Sequence, residues 1–276
     1  TKGDSYRSSE RTEIHEAVRQ QGTEIASGGN IAVQAGRDIN SDAATVKADD
    51  LLALQAGRDV NLNSAQESDY AFKEEVTTKK GFLKKTTTHT IKENYKTTAK
   101  GTQLTGDAIS VVAGHDVTAT GAAIGAESSV TLQAGNDVNV LAATERASTY
   151  SLHEVKKSGL MGGGLSIGYG KQSAKTEYNG AKVTQSDARS LVGASAGNVI
   201  IVAGNNATVK GSDVLAARAA DDITRATGHI DITGANIAII SGEDRIRESL
   251  SQTVKSSGFG LTLTCLLYTS PSPRDA

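Results

Sequence analysis

The stretch Val130-Thr131-Leu132-Gln133-Ala134-Gly135-Asn136-Asp137-Val138-Asn139-Val140 carries a pattern that occurs five times in this 276-residue chain. Each copy alternates aliphatic and polar residues, continues through Ala-Gly and a polar residue to Asp, or to Asn206 in the last copy, and returns to an aliphatic residue. The copies span residues 31–40, 52–61, 109–118, 130–139 and 199–208. Two pairs of their glycines, Gly36 with Gly57 and Gly114 with Gly135, lie 21 residues apart, a spacing that indicates the winding of a solenoid.

The alternation predicts a half-buried strand in every copy, because side chains two residues apart on a strand point to the same face. We expect the glycine to adopt a positive φ, so that the chain turns a corner and begins a second short strand. Two or three strands per coil of about 20 residues, with no helical period between them, predict an all-β fold, a parallel β-helix whose coils must stack to be stable. The predicted corner residues are Gly36, Asp38, Gly57, Asp59, Gly114, Asp116, Gly135, Asp137 and Gly204.

The composition suits thin coils with a narrow interior, since the chain has 29 glycines and only 4% aromatic residues. The net charge of −2 gives no general argument for binding to nucleic acid or to a membrane surface. No apolar run reaches the roughly 18–20 residues of a membrane span. The chain begins with Thr1 and shows no signal-like segment, which predicts a fragment of a longer protein.

The last twelve residues depart from this composition, because they hold the single cysteine, Cys265, and both prolines, Pro271 and Pro273. Segment 265–276 resembles the translation of a transposon-based sequencing adapter, so we expect it not to be native; the alternative is a short disordered tail. The preceding 264 residues lack cysteine. This is compatible with passage through an oxidising periplasm, where free thiols would cross-link.

A longer repeat lies above the coil repeat. The tetrapeptide at residues 22–25 has counterparts at 101–104 and 180–183, 79 residues apart each time. This repeat predicts coils at about 22–65, 101–143 and 180–247, separated by excursions at about 1–21, 66–100, 144–179 and 248–264. The excursions alternate polar and apolar residues and then reach Gly81, Gly159 or Gly258, a pattern typical of a β-hairpin with glycine near its tip.

The nine aromatic residues before Cys265 all lie in the excursions, which leaves two interpretations open. The aromatic side chains pack hairpins against the coils or across strand pairs, or some remain exposed for a partner. Residues 70–100 contain eight Lys and three Glu, so an acidic polysaccharide or a lipid head group is one conceivable ligand, and a solvated hairpin edge is the alternative. The candidate contact residues are Phe72, Lys79, Lys80, Phe82, Lys84 and Lys85.

The repeated aspartates permit an enzyme hypothesis, because paired carboxylates can act as acid and base or bind an ion. Catalysis needs one unique constellation, whereas these aspartates recur at the same corner in successive coils. The recurrence favours a structural role in which each Asp or Asn bonds backbone amides of its own turn. The following asparagines, Asn40, Asn61 and Asn139, are predicted to form a ladder between coils.

No catalytic residue, cofactor or metal ion is predicted. A calcium-binding nonapeptide repeat would need a double glycine and a nine-residue spacing, which these corners lack. The histidines show no metal-ligand spacing; they are His15, His89, His115, His153 and His229. A GxGxxG-like string at residues 162–170 has no helix after it, so it indicates a turned or flexible strand rather than a phosphate site.

The Ala-Gly-x-Asp-aliphatic copies, joined by excursions with a Lys- or Ser-rich stretch before Gly, resemble the haemagglutinin-repeat region of filamentous haemagglutinin-like exoproteins. That family includes the contact-dependent growth-inhibition toxins of Gram-negative bacteria. The resemblance covers residues 1–264. It implies a right-handed β-helical filament, exported through an outer-membrane barrel by two-partner secretion and either secreted or held at the cell surface.

The resemblance therefore implies a non-enzymatic filament segment of an adhesin or of a toxin stalk. The implied partners are the secretion transporter during export and a receptor, glycan or outer membrane of a target cell, with no nucleic acid and no small-molecule substrate. Two alternatives remain open: a carbohydrate-active β-helix enzyme, and a glycan-binding module whose excursions contact the ligand.

Overall fold

A computed structural model describes residues 5–163, 166–217 and 228–262, and this part of the chain contains 21 β-strands. The strands are β1 (Tyr6–Val18), β2 (Glu24–Ser27), β3 (Ile31–Ala35), β4 (Ile39–Asp42), β5 (Thr45–Ala48), β6 (Leu51–Ala56), β7 (Val60–Gly81), β8 (Lys84–Gly101), β9 (Gln103–Ala113), β10 (Val117–Thr120), β11 (Ala123–Ala134), β12 (Val138–Leu141), β13 (Glu145–Gly163), β14 (Ser166–Thr184), β15 (Leu191–Ala194), β16 (Asn198–Ala203), β17 (Asn206–Lys210), β18 (Asp213–Leu215), β19 (Ile230–Thr233), β20 (Asn236–Ile240) and β21 (Arg245–Thr262). The predicted all-β class is confirmed.

The five copies of the repeat pair side by side as parallel strands in register. Their first aliphatic residues form one column in which each pairs with the next, namely Ile31, Leu52, Ile109, Val130 and Val199. Every member of this column is buried. A second column after the corner pairs Val60, Val117, Val138 and Ala207, and a third pairs Val46, Leu104, Ile124 and Val192. These columns make up most of the hydrophobic core, so each coil contributes three strand segments to a shared interior. In β9 and β11 two of the three segments are continuous.

The corner glycines are required for a reason that differs from the predicted one. None of them has a positive φ; among described glycines that conformation occurs at Gly121, Gly159 and Gly211. A Cβ built on Gly114 would instead lie 2.2 Å from the carbonyl oxygen of Gly57, and the same approach recurs from Gly57 to Gly36, Gly135 to Gly114 and Gly204 to Gly135. At these four corners glycine is needed because adjacent coils bring their backbones into direct contact. At Gly36 an added Cβ would meet no atom within 4 Å.

The excursions form antiparallel hairpins. β7 and β8 pair from Ser64 opposite Gly101 to Gly81 opposite Lys84, and β13 and β14 pair over their whole lengths. The hairpins also pair with each other, since β8 bonds to β13, β14 to β21 and β1 to β7. The result is a six-stranded antiparallel part of an 11-stranded mixed sheet, in the order β1-β7-β8-β13-β14-β21, which we name the hairpin sheet.

β7 belongs to both parts of the molecule. Its first residues, from Val60, pair in parallel with β4 and β10 of the coils, and from Ser64 onwards it pairs with β8. The strand thus leaves the coil without a turn. The first hairpin is a direct continuation of coil backbone.

The third tetrapeptide of the longer repeat does not occupy the expected position. Val183 pairs antiparallel with Arg146, whereas Val192 pairs with Ile124 and takes the place in the third column that Leu104 has two coils earlier. β14 runs on to Thr184, beyond residue 179, because its backbone continues to pair with β13. Gly159 likewise lies inside β13, four residues before its end at Gly163, rather than at a tip.

Some predictions concern residues that the structure does not describe. Segment 265–276, residues 221–224 and the centre of the glycine string, residues 164–165, lie outside the described residues. The neighbouring strands β19 and β20 pair in parallel with β16 and β17 and so supply part of one further coil.

Candidate functional site

The corner aspartates form a ladder that runs from coil to coil. A carboxylate oxygen of each accepts a hydrogen bond from the backbone amide two residues after the corner glycine of the next coil. The bonds run from Asp59 N to Asp38 (3.3 Å), Asp116 N to Asp59 (3.2 Å), Asp137 N to Asp116 (3.0 Å) and Asn206 N to Asp137 (2.9 Å). The predicted donors, amides of the same turn, are wrong, because the observed donors belong to the neighbouring coil.

The ladder also explains the polar residue between Gly and Asp. Arg58 Nε donates to Asp38 at 2.7 Å, Asn136 Nδ2 donates to Asp116 at 2.8 Å, and His115 Nδ1 lies 3.2 Å from an oxygen of Asp59. The hydrogen-bonded Arg58 guanidinium lowers the pKa of Asp38 below its ordinary value. Each aspartate is therefore engaged by two groups of the next coil, an arrangement that fixes coil register.

The predicted asparagine ladder is confirmed at one step. Asn61 Nδ2 donates to Asn40 Oδ1 at 2.9 Å, and Gln55 accepts a bond of 3.3 Å from Gln34 on the adjoining strands. Asn139 instead faces Thr118 and Thr208 in the neighbouring strands, so the asparagines do not continue through every coil.

The hairpin sheet carries a concentration of positive charge that becomes visible only through its register. Three adjacent rows of paired residues cross all six strands, beginning at Tyr6, Arg7 and Ser8 of β1. They contain eight exposed basic side chains and no acidic one, and we name this set the basic band. Its basic residues are Arg7, Lys79, Lys80, Lys85, Lys156, Lys157, Lys171 and Lys255.

The two faces of the basic band differ, because neighbouring rows point to opposite sides of a sheet. The first and third rows place Lys80, Lys85, Lys156, Lys171 and Lys255 on one face, and the middle row places the other three basic residues on the opposite face. A groove of about 600 Å³ is lined by five lysines, four of them from the first face: Lys85, Lys156, Lys157, Lys171 and Lys255. This face has the larger charge.

Most of these charges are not neutralised by a carboxylate. Of the eight side chains, all within the described ranges, Lys156 alone makes an ion pair, 2.8 Å from Glu154, and this bond lowers the pKa of Glu154. Lys80 also lies 5.6 Å from the ring centroid of Tyr6, within the range of a cation–π contact. The charges at the base of the sheet are by contrast mixed and paired, as in the contact of Lys175 with Glu177 at 2.7 Å.

The structure brings together five of the six candidate contact residues. Lys79, Lys80 and Lys85 belong to the basic band, while Lys84 and Phe82 lie next to it at the tip of the first hairpin, where Phe82 is 81% exposed. Phe72 is separate, because it lies ten residues from Phe82, pairs with Ile14 and Glu93, and is half-buried.

The candidate residues predicted from the sequence do not include the members of the basic band outside the first hairpin, namely Arg7, Lys156, Lys157, Lys171 and Lys255. The available signal was the shared position of the lysines before the glycine in each excursion. Recognising the basic band also required the lateral pairing of successive hairpins, which no local pattern gives.

Repeat copies that pair in register as parallel strands with polar corners, together with hairpins that pair side by side, define a class of repetitive all-β proteins. A family model described as "Hemagglutinin repeat" matches residues 3–82 and 83–253. The chain belongs to this hemagglutinin-repeat family, and the predicted resemblance to the repeat region of growth-inhibition exoproteins is confirmed.

Curated relatives agree with this assignment. The chain is 41% identical over 94% of its length to the 16S rRNA endonuclease CdiA of Enterobacter cloacae and 44% identical over 95% to a tRNA nuclease CdiA of Escherichia coli. It is 38% identical over 90% to the deoxyribonuclease CdiA of Dickeya dadantii. The matched region is 8%, 8% and 7% of these relatives, so the chain spans less than a tenth of their lengths.

No solved structure matches the chain. Among the residues that the structure describes, there is no helix of the length and hydropathy needed to cross a membrane.

Proposed function

We propose that this chain is a non-enzymatic stalk segment of a large exoprotein, secreted by or held on the surface of a Gram-negative bacterium, and that its coils form a right-handed parallel β-helix. The observation that carries the proposal is the in-register parallel pairing of the repeat copies, from Ile31 to Val199. Such stacking has no intrinsic end, which suits a filament. Relatives named as an endonuclease and as a toxin, in which this region is a small part, support the assignment.

The geometry of the aspartates supports the non-enzymatic part of the proposal. Each carboxylate accepts hydrogen bonds from the next coil, and the arrangement repeats from Asp38 to Asp137. A glycosidase needs two carboxylates with separate roles at one place. Cleavage of an acidic polysaccharide by the purified chain would overturn this part and favour the carbohydrate-active alternative.

The stalk is tested by shortening the parent exoprotein in register. Deleting residues 104–191 places Val192 in the position of Leu104, since both pair with Ile124, and removes the second hairpin together with two coil windings. We expect export through the secretion transporter and target-cell inhibition or adhesion to persist.

The matched control deletes residues 104–190, which brings Leu191 into that position. Because a one-residue shift reverses the two faces of a strand, this variant should lose export or be degraded. Equal behaviour of the two deletions would contradict a stacked-coil stalk.

We further propose that the hairpins contact the target cell through anionic groups of its surface, either glycan carboxylates or lipid phosphates. The basic band supports this second function, because five lysines line one groove and the side chains have few acidic partners. Binding of this kind weakens with added salt.

A charge-reversal experiment tests the contact. The variant Lys85→Glu, Lys171→Glu, Lys255→Glu should lose at least about tenfold in binding to target cells, because it reverses three charges of the same groove. The variant Lys47→Glu, Lys92→Glu, Lys210→Glu has the same net charge but leaves the basic band intact. Equal loss in both variants would rule out a local contact, and acidic-lipid vesicles against acidic glycans would separate the two ligand sources.

We also propose that residues 1–264 are one hemagglutinin-repeat segment and that residues 265–276 are not native. Sequencing the genomic locus across codon 265 tests this. A frame that continues unchanged to Ala276 would refute the adapter assignment, and the gene downstream would show whether the parent carries a toxin or is an adhesin.

A further inference from the structure

We infer that Asp59, His115 and Asp116 form a binding site for one divalent transition-metal ion, at the corner between the coils on either side of the first hairpin. His115 Nδ1 lies 3.2 Å from Asp59 Oδ1 and 3.1 Å from Asp116 Oδ2. One ligand atom from each of the three residues lies within 4.8 Å of the other two.

The two distances from His115 Nδ1 match ligand separations around a bound ion. With metal–ligand distances of about 2.0–2.2 Å, two ligands of a tetrahedral or octahedral ion are roughly 3.0–3.5 Å apart. An ion bound between these atoms would replace the direct contacts of His115 Nδ1 with the two carboxylates. Only small side-chain movements are then needed.

The ligand set selects the kind of ion. One imidazole nitrogen and two carboxylate oxygens suit Zn²⁺, Ni²⁺ or Cu²⁺ better than Ca²⁺ or Mg²⁺, which prefer oxygen ligands alone. His115 is 56% exposed, so solvent water can complete the coordination and the ion can enter directly.

The inter-coil hydrogen bonds of the aspartate ladder fix the orientation of the two carboxylates. Asp116 Oδ1 accepts bonds from Asn136 Nδ2 at 2.8 Å and from Asp137 N at 3.0 Å, which leaves Oδ2 directed at His115. Asp59 Oδ1 accepts the Asp116 amide at 3.2 Å. Hydrogen bonds to the ligands that fix their orientation increase metal affinity.

The site is restricted to one corner among those described. The residue between Gly and Asp or Asn is His only here; the others are Arg37, Arg58, Asn136 and Asn205. An arginine cannot act as a ligand, and a neutral asparagine is a much weaker one for these ions. The site also joins residues 56 positions apart, on opposite sides of the first hairpin, so binding should stabilise the stack at that insertion.

One nearby charge opposes the ion. Arg58 Nε lies 3.0 Å from Asp59 Oδ2 and also bonds Asp38. Replacing this guanidinium by a neutral amide should therefore raise metal affinity severalfold. Arg58→Gln is a variant in which the inference predicts a gain rather than a loss.

The test titrates the untagged chain, carrying Cys265→Ser so that a thiol cannot compete, with Zn²⁺ and Co²⁺. We expect one ion per chain by calorimetry, a rise in the thermal midpoint, and a visible Co²⁺ absorption band. His115→Asn is the matched variant, since asparagine at this position can donate to Asp59 as Asn136 does to Asp116. It should keep the metal-free midpoint and bind at least about tenfold more weakly, the effect expected for losing a direct ligand.

A second pair of variants separates metal binding from ladder damage. Asp116→Asn and Asp137→Asn alter the same kind of inter-coil bond, but only the first removes a ligand. Metal-induced stabilisation should disappear in Asp116→Asn and persist in Asp137→Asn. Absence of metal binding by the chain with all its ligand residues intact, or an equal metal affinity in His115→Asn, would overturn the inference.

Discussion

The coils and the hairpin sheet are held together in different ways, although every element of both is a β-strand. Coil strands are short and place one face in a continuous aliphatic core, with Val130 and Leu132 fully buried. Hairpin strands are up to 19 residues long, as in β13 and β14, and are mostly exposed or half-buried on both faces. The coils therefore depend on side-chain columns and close backbone contact, whereas the hairpin sheet depends on long backbone ladders.

The largest loss of folding stability should come from adding one methyl group at a coil corner. Gly114→Ala would place a Cβ 2.2 Å from the Gly57 carbonyl oxygen, so two coils must separate. We expect destabilisation above about 4 kcal/mol, beyond the ordinary range for overpacking, measured by urea unfolding followed by circular dichroism. The control is Gly125→Ala, in a coil strand with no atom within 4 Å of the added Cβ, and a comparable loss there would contradict the explanation.

A core truncation should have the next largest effect. Leu132 is 0% exposed, so Leu132→Ala removes buried contacts from the column and should lower the free energy of unfolding by about 3 kcal/mol. The same denaturation experiment measures it. A loss below about 1 kcal/mol would mean that the coil interior can collapse around the cavity.

An acid-dependent contribution should come from the junction between the two regions. Asp244 accepts bonds from the hydroxyls of Ser186 (2.6 Å) and Thr184 (2.8 Å) and from the amides of Gln185 (2.8 Å) and Ser186 (3.2 Å). These donors hold its pKa well below the ordinary value. The stabilisation is complete above the unfolded pKa of about 3.9 and is lost as pH falls further towards the folded pKa.

Asp244→Asn should therefore reduce the urea midpoint at pH 7 and flatten its fall below about pH 4, since the amide does not titrate in this range. Asp187→Asn serves as control, because that exposed carboxylate has a single lysine contact at 3.2 Å. An unchanged acid slope in Asp244→Asn would refute the role of this carboxylate.

The smallest effect should follow the same leucine truncation in the hairpin sheet. Leu250 is 64% exposed on β21, so Leu250→Ala should change stability by less than about 0.5 kcal/mol. Thermal and urea midpoints close to those of the parent chain would separate the two regions by their sensitivity to an identical substitution. A loss similar to that of Leu132→Ala would remove the distinction.

The coils were predictable because their information is local. Alternation over residues such as Ile31 and Val33 identifies the strand, and the recurring Ala-Gly identifies the corner. The predicted role of the corner glycines, a positive φ, was wrong. A sequence does not show whether glycine is needed for its φ or for the close approach of another backbone. That approach involves Gly57 and Gly114, separated by the whole first hairpin.

The candidate sites were less predictable because they depend on pairing across long separations. Lys85 and Lys171 lie in one row of the sheet because Ser158 of β13 pairs with both. His115 shows no ligand spacing in the sequence, since its partner Asp59 comes from another coil. The tetrapeptides at 101–104 and 180–183 are similar in sequence but pair differently. The position predicted for the second of them was therefore wrong.

The passage of β7 from coil to hairpin without a turn has a mechanical consequence. The hydrogen bonds between successive hairpins run along the direction in which the coils stack, beside the core rather than within it. The hairpin sheet therefore acts as an off-axis rib: bending that opens the stack on that side must break a ladder such as β8–β13 along its whole length. A filament built this way should be stiffer towards its rib than a bare stack of coils, and a force applied at the hairpin tips should reach the core directly through the backbone of β7.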